Sequence, residues 1–167
     1  SVFSSADCTA CEAGYYTNSS RACLPCPSGT AAPDAATPSL SACKKCDRGY
    51  IAPREGTRTC TACSVGSYSS EFTQCIPCPV GYVSSAIGAD SNSTCVPCSP
   101  GFYSSIPGVA VCTPCQAGTY SSTSAASSCT SCPMGTYSLT VGASSNATCL
   151  PCKAGTYSTT IGASSEN

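Results

Sequence analysis

The chain has 167 residues and a formal net charge of -1, and Leu, Ile, Val and Phe together make up only about an eighth of it. So few large apolar side chains cannot offset the conformational entropy lost on ordering, which excludes an ordinary globular core, while the near-zero net charge argues against charge-driven disorder. Cysteine stands in for the core: 18 residues, about 11% of the chain, reach the level of a disulfide scaffold, and scaffolds of that kind persist in oxidising compartments.

Residues 1–7 read as the tail of a repeat, and a CxxC pair follows at Cys8/Cys11. Eight more pairs come after it: Cys23/Cys26, Cys43/Cys46, Cys60/Cys63, Cys75/Cys78, Cys95/Cys98, Cys112/Cys115, Cys129/Cys132 and Cys149/Cys152. From one pair's first cysteine to the next, the chain advances by 15, 20, 17, 15, 20, 17, 17 and then 20. A glycine stands three residues after every second cysteine, from Gly14 to Gly155, as a turn needing positive φ or a close backbone approach requires. Tyr follows two residues later in six modules (Tyr16, Tyr68, Tyr103, Tyr120, Tyr137, Tyr157) and one residue later at Tyr50 and Tyr82. Only the module at Gly29 lacks it. The tyrosine ring is expected to cover the adjacent disulfide while its hydroxyl stays wet. Pro25, Pro77, Pro97, Pro114 and Pro151 inside CxxC motifs disfavour helix, and no helical period is visible.

These periods predict one continuous array of about nine modules at 8–22, 23–42, 43–59, 60–74, 75–94, 95–111, 112–128, 129–148 and 149–167. The predicted fold class is a small disulfide-rich repeat protein, an elongated rod of short irregular β-hairpin modules with little or no helix and no large hydrophobic core. Pro27, Pro79 and Pro133 each mark a module of the longest interval and recur once in every three modules, so modules group in threes. The end, Gly162-Ala163-Ser164-Ser165, repeats Gly142-Ala143-Ser144-Ser145, and a window of a longer array is expected, with membrane attachment only through parts outside it.

Three chemistries use CxxC. Zinc sites take two pairs at about this spacing, but nine pairs do not divide into four-cysteine sites and the chain has no His. A thioredoxin-type redox motif needs one reactive pair on a βαβ scaffold. Structural disulfides remain, and spacing alone leaves their connectivity open. The pattern of Cys129-Thr130-Ser131-Cys132-Pro133-Met134-Gly135-Thr136-Tyr137-Ser138 resembles the ephrin-receptor-like cysteine-rich repeat, which is similar in style to tumour-necrosis-factor-receptor modules. That resemblance covers essentially the whole chain. It implies that the second cysteine of one pair closes on the first of the next: Cys11–Cys23, Cys26–Cys43, Cys46–Cys60, Cys63–Cys75, Cys78–Cys95, Cys98–Cys112, Cys115–Cys129 and Cys132–Cys149, with Cys8 and Cys152 pairing outside the window.

Three sequons begin at Asn18, Asn92 and Asn146, and the latter two lie three residues before a CxxC pair. They predict N-glycans. The abundant Ser and Thr residues read either as turn fillers or as O-glycan acceptors. Five of the seven basic residues (Lys44, Lys45, Arg48, Arg54, Arg58) cluster as a polyanion contact or as a solvated face beside Asp47 and Glu55. With no His, scattered acids and isolated glycines, no catalytic residue, metal site or cofactor is expected, nor a nucleic-acid partner. The expected function is an extracellular structural glycoprotein, secreted or at the cell surface, whose repeats self-associate into a stalk, coat or filament. Tyrosines and the aliphatics Ile87, Ile106, Val141 and Ile161 would supply contacts, unless the aliphatics pack inside their own modules. The alternative is a ligand-binding receptor or adhesion ectodomain.

Overall fold

The computed structural model describes residues 9–166, and these fall into two compact units. The first holds the described residues up to Ser64 with Tyr68–Cys75 and Ile87–Ser91; the second holds Val65–Ser67, Ile76–Ala86 and the described residues from Asn92 onward. Eight disulfides close the modules between Cys11 and Cys149. In the first unit they are Cys11–Cys23, Cys26–Cys43, Cys46–Cys60 and Cys63–Cys75. In the second they are Cys78–Cys95, Cys98–Cys112, Cys115–Cys129 and Cys132–Cys149.

Each disulfide-closed module is a hairpin of very short strands. In the first unit β1 (Tyr15–Thr17) pairs with β2 (Cys23–Pro25), β3 (Thr30–Ala31) with β4 (Lys44–Lys45), and β5 (Tyr50–Ile51) with β6 (Thr61–Ala62). Next in chain order come β7 (Ser67–Tyr68) and β8 (Ile76–Pro77). In the second unit β9 (Tyr82–Val83) pairs with β10 (Val96–Pro97), and β11 (Phe102–Tyr103) with β12 (Thr113–Pro114). The last ladders join β13 (Thr119–Tyr120) to β14 (Thr130–Ser131) and β15 (Thr136–Tyr137) to β16 (Leu150–Pro151). These seven ladders are antiparallel in one register, in which the residue after the glycine opposes the residue before the second cysteine, as in Tyr15↔Pro25, Tyr50↔Ala62 and Phe102↔Pro114. The prolines of the CxxC motifs are tolerated because each stands at the end of its ladder, where there is no interior bond to break.

The register starts at a turn. Thr30 N–H donates to the Pro27 carbonyl at 3.1 Å across Gly29, whose φ is +79°, and the Thr30 hydroxyl donates to the same carbonyl at 2.6 Å. Only a residue comfortable in the left-handed region fits the third position of that turn.

Modules interlock through a repeated backbone pattern. Each glycine N–H donates to the carbonyl three residues past the next glycine: Gly14 to Ala32, Gly29 to Ala52 and Gly49 to Ser69 in the first unit, and Gly66 to Ser84, Gly81 to Ser104, Gly101 to Ser121, Gly118 to Ser138 and Gly135 to Ser158 in the second. The glycine carbonyl in turn accepts from the second cysteine of the next pair, as Cys63 N–H does to Gly49 and Cys115 N–H to Gly101. These bonds satisfy polar groups that side chains this small leave close to the module centre.

The core is made of sulfur and small side chains. The second cysteine of each CxxC pair from Cys11 to Cys132 is at most 4% exposed, and beside this column runs another of Ala32, Ala52, Ser69, Ser84, Ser104, Ser121 and Ser138, all buried. No fully buried side chain among the described residues is larger than cysteine. The expectation of a disulfide-rich hairpin array without a large apolar core holds. The described residues contain no α-helix. Three 3-10 turns, Leu40–Ala42, Asn92–Thr94 and Asn146–Thr148, each close one of the longest intervals between CxxC pairs.

Candidate functional site

Lys44 and Lys45 form β4 immediately before Cys46, and the Cys46–Cys60 bridge draws Arg58, two residues before Cys60, to the same place. Tyr50, first residue of β5, completes an open groove of about 280 Å³ that Lys44, Lys45, Asp47 and Arg58 line, with Ala31, Pro33 and the two cysteines as its apolar surface. Lys45 holds its ammonium 4.1 Å from the centre of the Phe72 ring, a cation–π contact that fixes it without neutralising it. Arg58 Nη2 lies 3.4 Å from Glu12 Oε2, but both side chains are largely exposed, so solvent screening leaves this pair weak and easily exchanged. Arg48 and Arg54 are exposed and do not line the groove. The basic run thus divides into three converging cations and two dispersed ones.

The sequons differ in setting. Asn92 and Asn146 are exposed, each opens a 3-10 turn, and their carbonyls accept from Cys95 and Cys149 N–H at 3.0 Å. Asn18 is half-buried, and its Oδ1 accepts from the backbone N–H groups of Ser20 at 3.1 Å and Ala22 at 2.9 Å. Its side-chain oxygen thereby shapes a turn.

The serines divide by position into buried and exposed sets. The serine three residues past the glycine is a core residue from Ser69 to Ser138, and in all of these but Ser69 its hydroxyl binds locally: Ser104 Oγ donates to the Ile106 carbonyl at 2.9 Å, and Ser138 Oγ accepts from Thr140 N–H at 3.3 Å. Such hydroxyls are closed to a glycan, whereas the next residues along (Ser70, Ser85, Ser105, Ser122) are exposed. The available signal was the fixed offset from glycine combined with Ala32 and Ala52 in the same column, which marks a position limited by size. Ile87, Ile106, Val141 and Ile161 are between 57% and 73% exposed, so they do not pack inside their own modules. Tyr68, Tyr103, Tyr120 and Tyr137 are half-buried, while Tyr157 stands out at 85% exposure.

Eight disulfides occupy every cysteine from Cys11 to Cys149, which leaves no thiolate set for a four-cysteine zinc site among the described residues. Cys152 is a half-buried free thiol, and Cys8 lies outside the described residues.

A family model described as tyrosine-protein kinase ephrin type A/B receptor-like matches residues 49–95 and 101–149. No curated protein matches the chain. The disulfides and this likeness together mark an extracellular or cell-surface ectodomain built of cysteine-rich repeats.

Proposed function

The chain belongs to the ephrin-receptor-like cysteine-rich family, and on that premise we propose that it is an extracellular structural glycoprotein whose repeats build a surface stalk, coat or filament. The observation that carries this reading is the sameness of the interlocking: every module from Gly14 to Gly135 presents the same donor and acceptor to its successor, and side-chain identity hardly enters. A lattice of backbone bonds and disulfides propagates without a specialised partner residue, which suits a protein whose repetition is its purpose. Self-association draws on the exposed aliphatics, and N-glycans sit on Asn92 and Asn146. No catalytic role, cofactor or nucleic-acid partner belongs to this reading. Electron microscopy of native secreted or cell-surface material, immunolabelled against this chain, tests it. Label repeating along uniform fibres or a continuous coat is expected; label restricted to dispersed membrane patches would overturn it.

The second reading, a receptor or adhesion ectodomain, is favoured by one observation, the groove in which Lys44, Lys45 and Arg58 converge while most modules carry no basic residue. Loss of ligand-dependent cell attachment on deleting that module, with fibres unaffected, is its distinguishing result.

A further inference from the structure

The basic groove has a counterpart in the second unit. Every residue lining a second open groove there lies 52 positions beyond a residue lining the first: Pro97 stands at the place of Lys45, Ser99 of Asp47, Phe102 of Tyr50, Ala110 of Arg58 and Cys112 of Cys60. Both grooves form where one of the longest intervals is followed by one of intermediate length, so the three-module period seen in the sequence also sets where grooves fall. The scaffold is therefore held constant and the chemistry changed. An aromatic residue follows the glycine in both, and the disulfide wall is the same, yet the first groove carries three cations and one carboxylate where the second carries no charged side chain.

We propose that the groove between β3, β4 and β5 binds a sulfated polysaccharide. Three cations against one carboxylate leave an unbalanced positive site on the extracellular surface of a chain whose net charge is -1, so the charge is local and not a property of the whole molecule. Lys44 and Lys45 are exposed, and Lys45 is braced on Phe72 with its ammonium free to meet an anion. Arg58, two residues before Cys60, also lines the groove and needs to give up only its solvent-screened contact with Glu12. Its fork accepts a sulfate through paired N–H donors. Between the cations lie Ala31, Pro33 and the 41%-exposed ring of Tyr50, an apolar strip for the hydrophobic face of a sugar ring. The groove is shallow and open, without the enclosed pockets by which a peptide's side chains are read, and a polymer with closely spaced anions matches it better than a single acidic residue does. The site is independent of the structural reading above, and its failure would leave that reading untouched.

The test is binding of a size-defined heparin oligosaccharide to the disulfide-bonded chain by calorimetry at low and physiological salt, with hyaluronan and polyglutamate as competitors. Binding is expected to weaken as salt rises. Lys44→Ala, Lys45→Ala and Arg58→Ala combined should lower affinity about tenfold or more, the sum of three exposed charge contacts. Arg48→Ala with Arg54→Ala, outside the groove, should leave it within about twofold. Because the triple variant also removes the Phe72 contact, a gain of function provides the second arm: Pro97→Lys with Ala110→Arg should create a second site of comparable affinity in the uncharged groove. No heparin binding, an equal loss from the Arg48/Arg54 variant, no second site in the grafted chain, or equal displacement by polyglutamate would each overturn the proposal.

Discussion

Gly101→Ala tests how modules are held together. Gly101 has φ +88°, and a Cβ built on it would fall well inside 3.0 Å of the Gly142 carbonyl, which belongs to the module two further along. The same arrangement joins Gly14 to Gly56 and Gly49 to Gly88 in the first unit, and Gly66 to Gly108, Gly81 to Ala125 and Gly118 to Gly162 in the second. Gly135 shares the conformation, with φ +78°, but has nothing within 4 Å of its would-be Cβ. Alanine at Gly135 therefore suffers only the left-handed backbone term, about 1–2 kcal/mol. Alanine at Gly101 suffers that term and must also displace a backbone carbonyl whose own residue is bonded, Gly142 N–H to Cys115 O at 2.7 Å, which adds about 1–3 kcal/mol of overpacking and about 1 kcal/mol of hydrogen bonding. Hydrogen exchange reads the difference locally. Protection of Gly101 N–H and Cys115 N–H should fall by roughly two or more powers of ten in Gly101→Ala, while Gly135 N–H and Cys152 N–H in Gly135→Ala lose about one. Equal losses at the two sites would refute the idea that the carbonyl two modules on is seated on the glycine.

The serine column separates packing from hydrogen bonding. Ser69 Oγ is buried without a hydrogen-bond partner, so Ser69→Ala should be neutral or stabilising, whereas Ser138→Ala should cost about 0.5–1.5 kcal/mol by leaving Thr140 N–H unmatched, both read as shifts in the guanidinium midpoint. Replacing Cys98 and Cys112 together by serine opens a loop of sequence separation 14 and should destabilise that module by about 3 kcal/mol, seen as new protease cleavage between the two positions while distant modules stay resistant. Enzymatic release of N-glycans in heavy-oxygen water should label the exposed Asn92 and Asn146 and leave the half-buried Asn18 unlabelled; heavy label at Asn18 equal to that at Asn92 would contradict this assignment.

Much of the fold was written in one dimension. CxxC pairs, a glycine at constant offset and a short set of recurring intervals are enough to state a hairpin array stapled by disulfides, because loop closure and a left-handed turn are local demands that local residues must meet. The eight bridges themselves rested on family likeness, since spacing permits other pairings. The sequence also marked the longer period: Pro27, Pro79 and Pro133 sit in the modules that close with 3-10 turns.

What the tertiary structure alone decided depends on which modules meet. Glycine could be assigned a turn from the sequence, but not the task of seating a carbonyl two modules on, because that contact exists only after modules stack. The serines looked alike along the chain and separate in space into a buried column and an exposed one, since hairpin register decides which hydroxyl faces the neighbouring module. Lys44, Lys45, Arg48, Arg54 and Arg58 formed a single run along the chain; the Cys46–Cys60 bridge gathers three of them and leaves two behind. A sequence specifies which charges are near one another in number, and a disulfide and a strand register specify which are near one another in ångströms.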